Sequence, residues 1–188
     1  METNRIIGAG NSSARRKNDL YPTPPDVTDA LIDLISPILT EKTIIWECAS
    51  GSGDMVQAIQ ERGYRCVGTD ISAGSDFLTC NPPVCGFDWI ITNPPFSCSE
   101  AFIKRAAGYK KPFAFLLKSQ YWHAGRRIPL FREFPPDIVA PLTWRPDFLF
   151  KEEGNHGAPL MDVMWCVWLP EIHKKGFTRF VPLEKGTK

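Results

Sequence analysis

Four consecutive residues, Asn93-Pro94-Pro95-Phe96, have the types and order needed to hold an exocyclic amine attached to an aromatic ring. An asparagine side chain offers an oxygen acceptor and an NH2 donor. Each proline fixes its own φ and lacks an N–H, and each pushes the residue before it toward an extended shape. A ledge built this way is expected to keep its carbonyls off a helix, so that they face a ligand. Phe96 offers a flat face on which a planar base can stack. The stretch directly follows Phe87-Asp88-Trp89-Ile90-Ile91-Thr92, an apolar run that reads as a buried strand. Two prolines can also do no more than end a strand, so the reading depends on what the rest of the chain supplies.

A second element lies upstream. Ile44-Ile45-Trp46-Glu47-Cys48-Ala49-Ser50-Gly51-Ser52-Gly53 runs from a hydrophobic strand into a glycine-rich turn, and a helix-like stretch follows from Asp54 to Arg62. Glycines let the backbone turn tightly and approach a ligand closely. A strand–Gly-x-Gly–helix unit binds nucleotide-like cofactors in doubly wound sheets. A dinucleotide fingerprint would continue to Gly or Ala three positions after Gly53, where Val56 stands. Glu47 at the strand end would repel a pyrophosphate and attract a cation. S-adenosylmethionine carries an ammonium and a sulfonium and no phosphate, so the local charge favours it over NAD or ATP. Arg65-Cys66-Val67-Gly68-Thr69-Asp70 reads as a second strand ending in an acid. Asp70 stands about twenty residues after the glycine turn, where a ribose-binding carboxylate is expected. Asp76-Phe77 follows on the next loop. Asp76 can accept from an adenine amine while Phe77 packs on the ring, and a loop acid that caps its own turn is the competing reading.

Glu47-x-x-x-Gly51-x-Gly53, then Asp70, Asp76-Phe77 and Asn93-Pro94-Pro95-Phe96, resembles the motif series of the amino-methyltransferases, in particular the adenine-N6 nucleic-acid methyltransferases. The resemblance covers roughly residues 19 to 169. Tyr21-Pro22-Thr23-Pro24 is similar to that family's extra cofactor-binding motif, and Arg126-Arg127 and Arg145-Pro146-Asp147-Phe148 are similar to compact phage and prophage members. It implies a Rossmann-like class I α/β fold, a mostly parallel doubly wound sheet with an antiparallel last strand, and S-adenosylmethionine as cofactor. It implies a cofactor site of Tyr21, Thr23, Pro24, Glu47, Gly51, Gly53, Asp70, Asp76, Phe77 and Asn93. Catalysis falls to Asn93, Pro94, Pro95 and Phe96. The expected reaction is methyl transfer to the N6 amine of adenine in DNA, in the cytoplasm of a bacterial cell or a phage-infected host. The alternatives are RNA methylation at adenine N6 or guanine N2, protein-glutamine methylation, and a non-catalytic nucleic-acid-binding module. Family members of this motif order usually carry a target-recognition domain where only a short tail follows here, which favours RNA, whereas the phage likeness favours DNA.

A base inside a duplex must be flipped out, or offered in a single strand, to reach such a ledge. Lys118, His123, Arg126 and Arg127 follow a predicted strand on the same rim and are the candidate nucleic-acid contacts. A net charge of +1 over 188 residues does not itself name a partner. Six cysteines and three scattered histidines form no metal-ligand spacing, so no metal is expected. No run reaches membrane-spanning length and no signal peptide is recognisable. The sequence sets no oligomeric state.

These residues need a scaffold. Residues 1–18 read as a flexible basic segment, 19–170 as the catalytic domain and 171–188 as a basic tail. Val27, Ala30, Leu31, Leu34 and Ile35 recur at helical spacing after the prolines at 22, 24 and 25. Strands are expected near 44–48, 65–69, 87–92, 112–117, 137–141 and 162–169, and helices near 54–62, 98–108 and 124–133. Such alternation implies a parallel sheet covered on both faces. The long strand at 162–169 is expected antiparallel at the sheet's end, and the segment 144–160, with His156, as a mobile loop over the target.

Overall fold

The computed structural model describes residues 21–148, 161–170 and 177–186. A seven-stranded sheet forms the centre, in the order β2-β1-β3-β4-β6-β5-β7. The strands are β1 (Ile44–Glu47), β2 (Arg65–Gly68), β3 (Trp89–Thr92), β4 (Phe113–Lys118), β5 (Ile138–Pro141), β6 (Val163–Trp168) and β7 (Arg179–Phe180). β2, β1, β3 and β4 are parallel neighbours. β6 runs antiparallel between β4 and β5, and β7 pairs parallel with β5.

The alternation of side chains along a strand explains why the central strands read as unbroken apolar runs. Ile45, Ile91, Leu116 and Trp165 face one buried layer, while their neighbours Trp46, Ile90, Phe115 and Cys166 face the other. α1 (Pro25–Ile35) and α2 (Asp54–Glu61) cover the first face through Val27, Leu31, Ile35, Met55 and Ile59. α3 (Ser99–Gly108) and α4 (Ile128–Glu133) cover the second through Phe102, Ile103, Ala106 and Leu130. Among the described residues no helix is long and apolar enough to cross a membrane.

Three expectations need correction. The strand at 162–169 is antiparallel but internal, because β5 adds on its far side. A further strand, β7, forms the edge and runs parallel to β5; its two residues are exposed, which leaves no buried period in the sequence to mark it. The helix expected from 124 starts with a 3₁₀ turn, Gly125–Arg127, and becomes α-helical only at Ile128, just before Pro129. Proline is pre-organised for the first turn of a helix and not for its interior. The basic residues before position 21, and residues 149–160 with His156, lie outside the described residues.

Candidate active site

The carboxyl ends of β1, β2 and β3 open on one cavity of about 580 Å³. After Glu47 the chain turns through Gly51 (φ 49°) and Gly53 (φ 88°), both in the left-handed region that glycine adopts at little cost. Gly53 then caps α2. A Cβ there would meet nothing within 4 Å, so backbone conformation rather than space calls for glycine. Gly68 answers the opposite demand. A Cβ at the end of β2 would stand 2.9 Å from Val56 Cγ2 and 3.1 Å from Ser50 Cβ. β2 therefore packs directly on the turn.

Asp70, two residues beyond β2, fastens that turn from the side. Its Oδ2 accepts the Gly51 N–H at 2.9 Å, and its Oδ1 accepts the Ser72 N–H at 2.8 Å and the Ser72 hydroxyl at 2.5 Å. Partial burial pushes this carboxyl up, but the Ser72 hydroxyl and the two backbone N–H groups outweigh it and hold Asp70 below the usual carboxylate value. Glu47 is 1% exposed, and its Oε1 accepts the Thr92 hydroxyl and the Ala49 N–H. Burial pushes its carboxyl up to about 7 against the pull of those two bonds, and the Asp70 charge adds to the rise.

The turn-capping role expected of Asp76 is present. Its Oδ1 accepts the Leu78 N–H at 2.9 Å, closing its own turn, and the residue also lines the cavity. Phe77 is 2% exposed, with ring centroids 5.2 Å from Trp46 and 4.8 Å from Phe102, and reaches the cavity wall from the core.

Asn93 and Pro95 line the same cavity from the end of β3. The Asn93 Nδ2 donates to the Tyr21 carbonyl at 3.2 Å and to Thr23 Oγ1 at 3.1 Å. The ledge departs from expectation in one respect. The Pro95 carbonyl accepts the Cys98 N–H at 2.9 Å and the Phe96 carbonyl accepts the Ser99 hydroxyl at 2.7 Å. The N-terminal turn of a helix leaves backbone N–H groups without helical partners, and a nearby carbonyl meets one of them here. Among the described residues only the Pro94 carbonyl of these three meets no donor. The Phe96 ring lies 6.2 Å from that of Tyr21, and the Lys118 ammonium sits 4.1 Å from the Phe96 centroid.

Tyr21, Thr23, Glu47, Gly51, Asp70 and Asp76 thus meet Phe77, Asn93 and Pro95 around one space. Pro24, Gly53, Pro94 and Phe96 are not part of its lining. Pro24 caps α1 and its carbonyl accepts the Val27 N–H. None of Lys118, His123, Arg126 and Arg127 borders the cavity. His123 is exposed and Arg126 is 76% exposed. Arg127 is only 15% exposed; its Nε meets Glu100 at 3.0 Å, it donates to the Tyr121 carbonyl, and its guanidinium lies 4.0 Å from the Tyr121 ring centroid. Its contacts are scaffolding ones.

Sequence reasoning missed Thr92, Ser72 and Ser75. Thr92 carried a signal, a hydroxyl inside an apolar strand just before the ledge. Ser72, two residues after Asp70, fits a capped turn. Ser75 carried none.

The cavity's charge is one-sided. Its described lining includes Glu47, Asp54, Asp70 and Asp76 and no lysine, arginine or histidine. Such a wall suits a cationic ligand and opposes a phosphate.

No family model matches this chain, and no curated protein matches it in sequence. Solved structures match it in fold. A modification subunit attributed to a type I restriction enzyme of Vibrio vulnificus is 14% identical, with a TM-score of 0.50, over 79% of this chain and 43% of that one. A TehB-like SAM-dependent methyltransferase of Corynebacterium glutamicum is 14% identical, with a TM-score of 0.45, over 74% of this chain and 86% of that one. A release-factor-specific protein-(glutamine-N5) methyltransferase of Alicyclobacillus acidocaldarius is 18% identical, with a TM-score of 0.41, over 78% and 93%. The sheet, parallel but for one internal antiparallel strand and covered by helices on both faces, is of the Rossmann-like α/β kind, a fold shared with the Vibrio vulnificus subunit.

Proposed function

We propose that this protein transfers a methyl group from S-adenosylmethionine to the N6 amine of adenine in DNA. One observation carries the reading. A single cavity joins an acid-lined cradle, without a cation among its described residues, to an asparagine whose NH2 is already engaged elsewhere. The fold is compatible with many chemistries, and the residues of the site narrow them.

The cradle fits the cofactor. Asp70 is held ionised and accepts the ribose hydroxyls, Asp76 accepts from the adenine amine, and Phe77 packs against that ring. Glu47 and Asp54 supply negative field for a ligand bearing an ammonium and a sulfonium. When bound, S-adenosylmethionine supplies an electrophilic methyl on a neutral thioether leaving group, so no general acid is required.

The difficulty lies with the nucleophile, whose amino lone pair is delocalised into the purine ring. Asn93 Oδ1 and the Pro94 carbonyl accept its two hydrogens and favour a tetrahedral nitrogen with its lone pair directed at the cofactor side. Positive charge develops on that nitrogen during transfer, so fixed carbonyl dipoles stabilise the transition state more than the ground state. Phe96 sets the plane of the base, and alignment supplies much of the remaining rate. The surplus proton leaves to solvent after transfer. Lys118 closes β4, His123 and Arg126 follow it, and the three meet the phosphates around a flipped base.

Adenine is supported by the Asn-Pro-Pro-Phe series and its resemblance to the adenine-N6 enzymes, and DNA by the likeness of Arg126-Arg127 and Arg145-Pro146-Asp147-Phe148 to compact phage members. The test is tritiated methyl transfer offered to DNA, RNA and protein in parallel, with the modified residue identified. Label recovered as N6-methyladenine in DNA supports the proposal. Label confined to RNA, or to a protein amide, replaces the substrate.

A further inference from the structure

We infer that the chain segment before α1 is a positioning device for Asn93: the Thr23 hydroxyl and the Tyr21 carbonyl lock its amide so that only the oxygen faces the substrate. The inference rests on the amine-methylation reading and gives Tyr21 and Thr23, expected from sequence as cofactor residues, a role through Asn93 instead.

A primary amide has two orientations of nearly equal shape, related by a half-turn of its terminal bond. One presents an acceptor to the cavity and the other presents a donor. An amine that must give up a hydrogen bond is met by the first and opposed by the second. The partners of Asn93 decide between them. A backbone carbonyl can only accept, so the group 3.2 Å from the Tyr21 oxygen must be the NH2. The second amide hydrogen then points at Thr23 Oγ1, 3.1 Å away. With both hydrogens engaged on one side, Oδ1 lies on the opposite edge of the amide.

The device is rigid for reasons readable in the chain. Pro22, Pro24 and Pro25 each fix φ, and Pro24 takes φ −58° and ψ 144° before the helix begins. Thr23 is 4% exposed, so little water competes for its hydroxyl. The start of α1 is tied to the sheet and to the segment after β5. The Trp165 indole donates to the Val27 carbonyl at 2.9 Å, and the Trp144 indole donates to Asp26 at 3.0 Å. The Tyr21 ring stands 6.2 Å from both Phe96 and Phe148. The same segment also borders the cofactor cradle. One short strap therefore touches the cradle and orients the group on which the target amine depends.

Thr23→Val keeps the shape of the side chain and removes the acceptor, while Thr23→Ser keeps the acceptor. Two readouts separate this inference from the function it builds on. The first needs no substrate: the Asn93 side-chain NH2 resonances, assigned by their loss in Asn93→Asp, report solvent exchange of the amide hydrogens. Exchange is expected to rise about tenfold in Thr23→Val, the equivalent of one lost hydrogen bond, and to return toward the parent value in Thr23→Ser. The second is methyl transfer. The transfer rate is expected to fall about tenfold in Thr23→Val and to recover in Thr23→Ser, with the dissociation constant for S-adenosylmethionine within about twofold of the parent throughout. A melting curve confirms that each variant is folded. Unchanged amide exchange in folded Thr23→Val overturns the inference, whatever the substrate proves to be. A variant that loses cofactor affinity but keeps its transfer rate also overturns it, since Thr23 would then act as a binding residue. If the parent protein transfers no methyl group to any polymer, the proposed function fails while the exchange measurement still decides the positioning.

Discussion

Asp70 Oδ2 accepts the backbone N–H of Gly51 at 2.9 Å, so the carboxylate that follows β2 holds the glycine turn that follows β1. The two halves of the cradle are one hydrogen-bonded unit, and Ser72 completes it from the other oxygen. Asp70→Ala is expected to weaken S-adenosylmethionine binding by about tenfold or more, through lost ribose contacts and a loosened turn. Calorimetric titration of the folded variant measures this, and an unchanged affinity would place the ribose elsewhere.

Asn93→Ala removes the oxygen proposed to receive the target amine. Loss of one preorganised group facing a developing charge costs about 10²–10³ in rate. Transfer is expected to fall by that order, while cofactor affinity changes by no more than about threefold, equivalent to ~0.6 kcal/mol. Single-turnover transfer and a binding titration on the same preparation check the split. A variant that methylates at the parent rate refutes the amine clamp.

Glu47 gives the site a pH dependence with a definite sign. Its carboxyl titrates near 4.5 when unfolded and about 7 in the fold, because burial disfavours its charge. The native state therefore holds more protons than the unfolded one between those values. Its contribution to stability is complete below the unfolded value and is lost as pH rises through the folded one. Binding of a cation beside it is expected to run the other way and to strengthen as pH rises through about 7. Glu47→Gln is expected to flatten both profiles, measured by thermal melts and by cofactor titration from acid to mildly alkaline pH. Parallel profiles in the two proteins would remove Glu47 from the account.

Gly68→Ala tests the packing of β2 on the turn. The new methyl would stand 2.9 Å from Val56 Cγ2 and 3.1 Å from Ser50 Cβ, closer than such atoms approach without displacement. Overpacking of this kind costs about 1–3 kcal/mol. A lowered denaturation midpoint with weakened cofactor binding is expected. Gly53→Ala should also destabilise, through its φ of 88° rather than through a clash.

Arg126 and Arg127 are adjacent and both reach Glu100, but Arg127 is 15% exposed and Arg126 76%. Arg127→Ala removes bonds to Glu100 and the Tyr121 carbonyl from a mostly buried side chain and is expected to cost about 1–3 kcal/mol of stability. Arg126→Ala is expected to change stability by less than about 0.5 kcal/mol. It should weaken DNA binding, reducing the slope of log affinity against log salt by about 1. Denaturant melts and a salt series of DNA titrations separate the two.

The parallel part of the sheet was legible because each central strand is apolar on both faces, as with Ile45 beside Trp46 and Ile90 beside Ile91. The cradle was legible for a different reason. Gly51, Gly53 and Asp70 meet demands of backbone conformation and charge that few other residue types satisfy. What was hidden is what tertiary partners decide. Nothing local marks β7, whose two exposed residues gain strand geometry only from β5. The engaged carbonyls of Pro95 and Phe96 depend on where α3 begins, and Arg127 differs from its neighbour Arg126 only once the fold buries it against Tyr121. Tyr21 and Thr23 suggested a cofactor site from sequence; their hydrogen bonds to Asn93 span some seventy residues and needed the fold to become visible.

Whether the cavity beside Asn93 serves methyl transfer to adenine in DNA can be read in living cells. The parent chain and Asn93→Ala are expressed in a bacterial strain without adenine methylation of its own, and the nucleosides of its digested DNA are measured by mass spectrometry. N6-methyladenine is expected with the parent chain and not with the variant. DNA free of N6-methyladenine in the presence of folded parent protein, or equal amounts of it with both proteins, would contradict the claim.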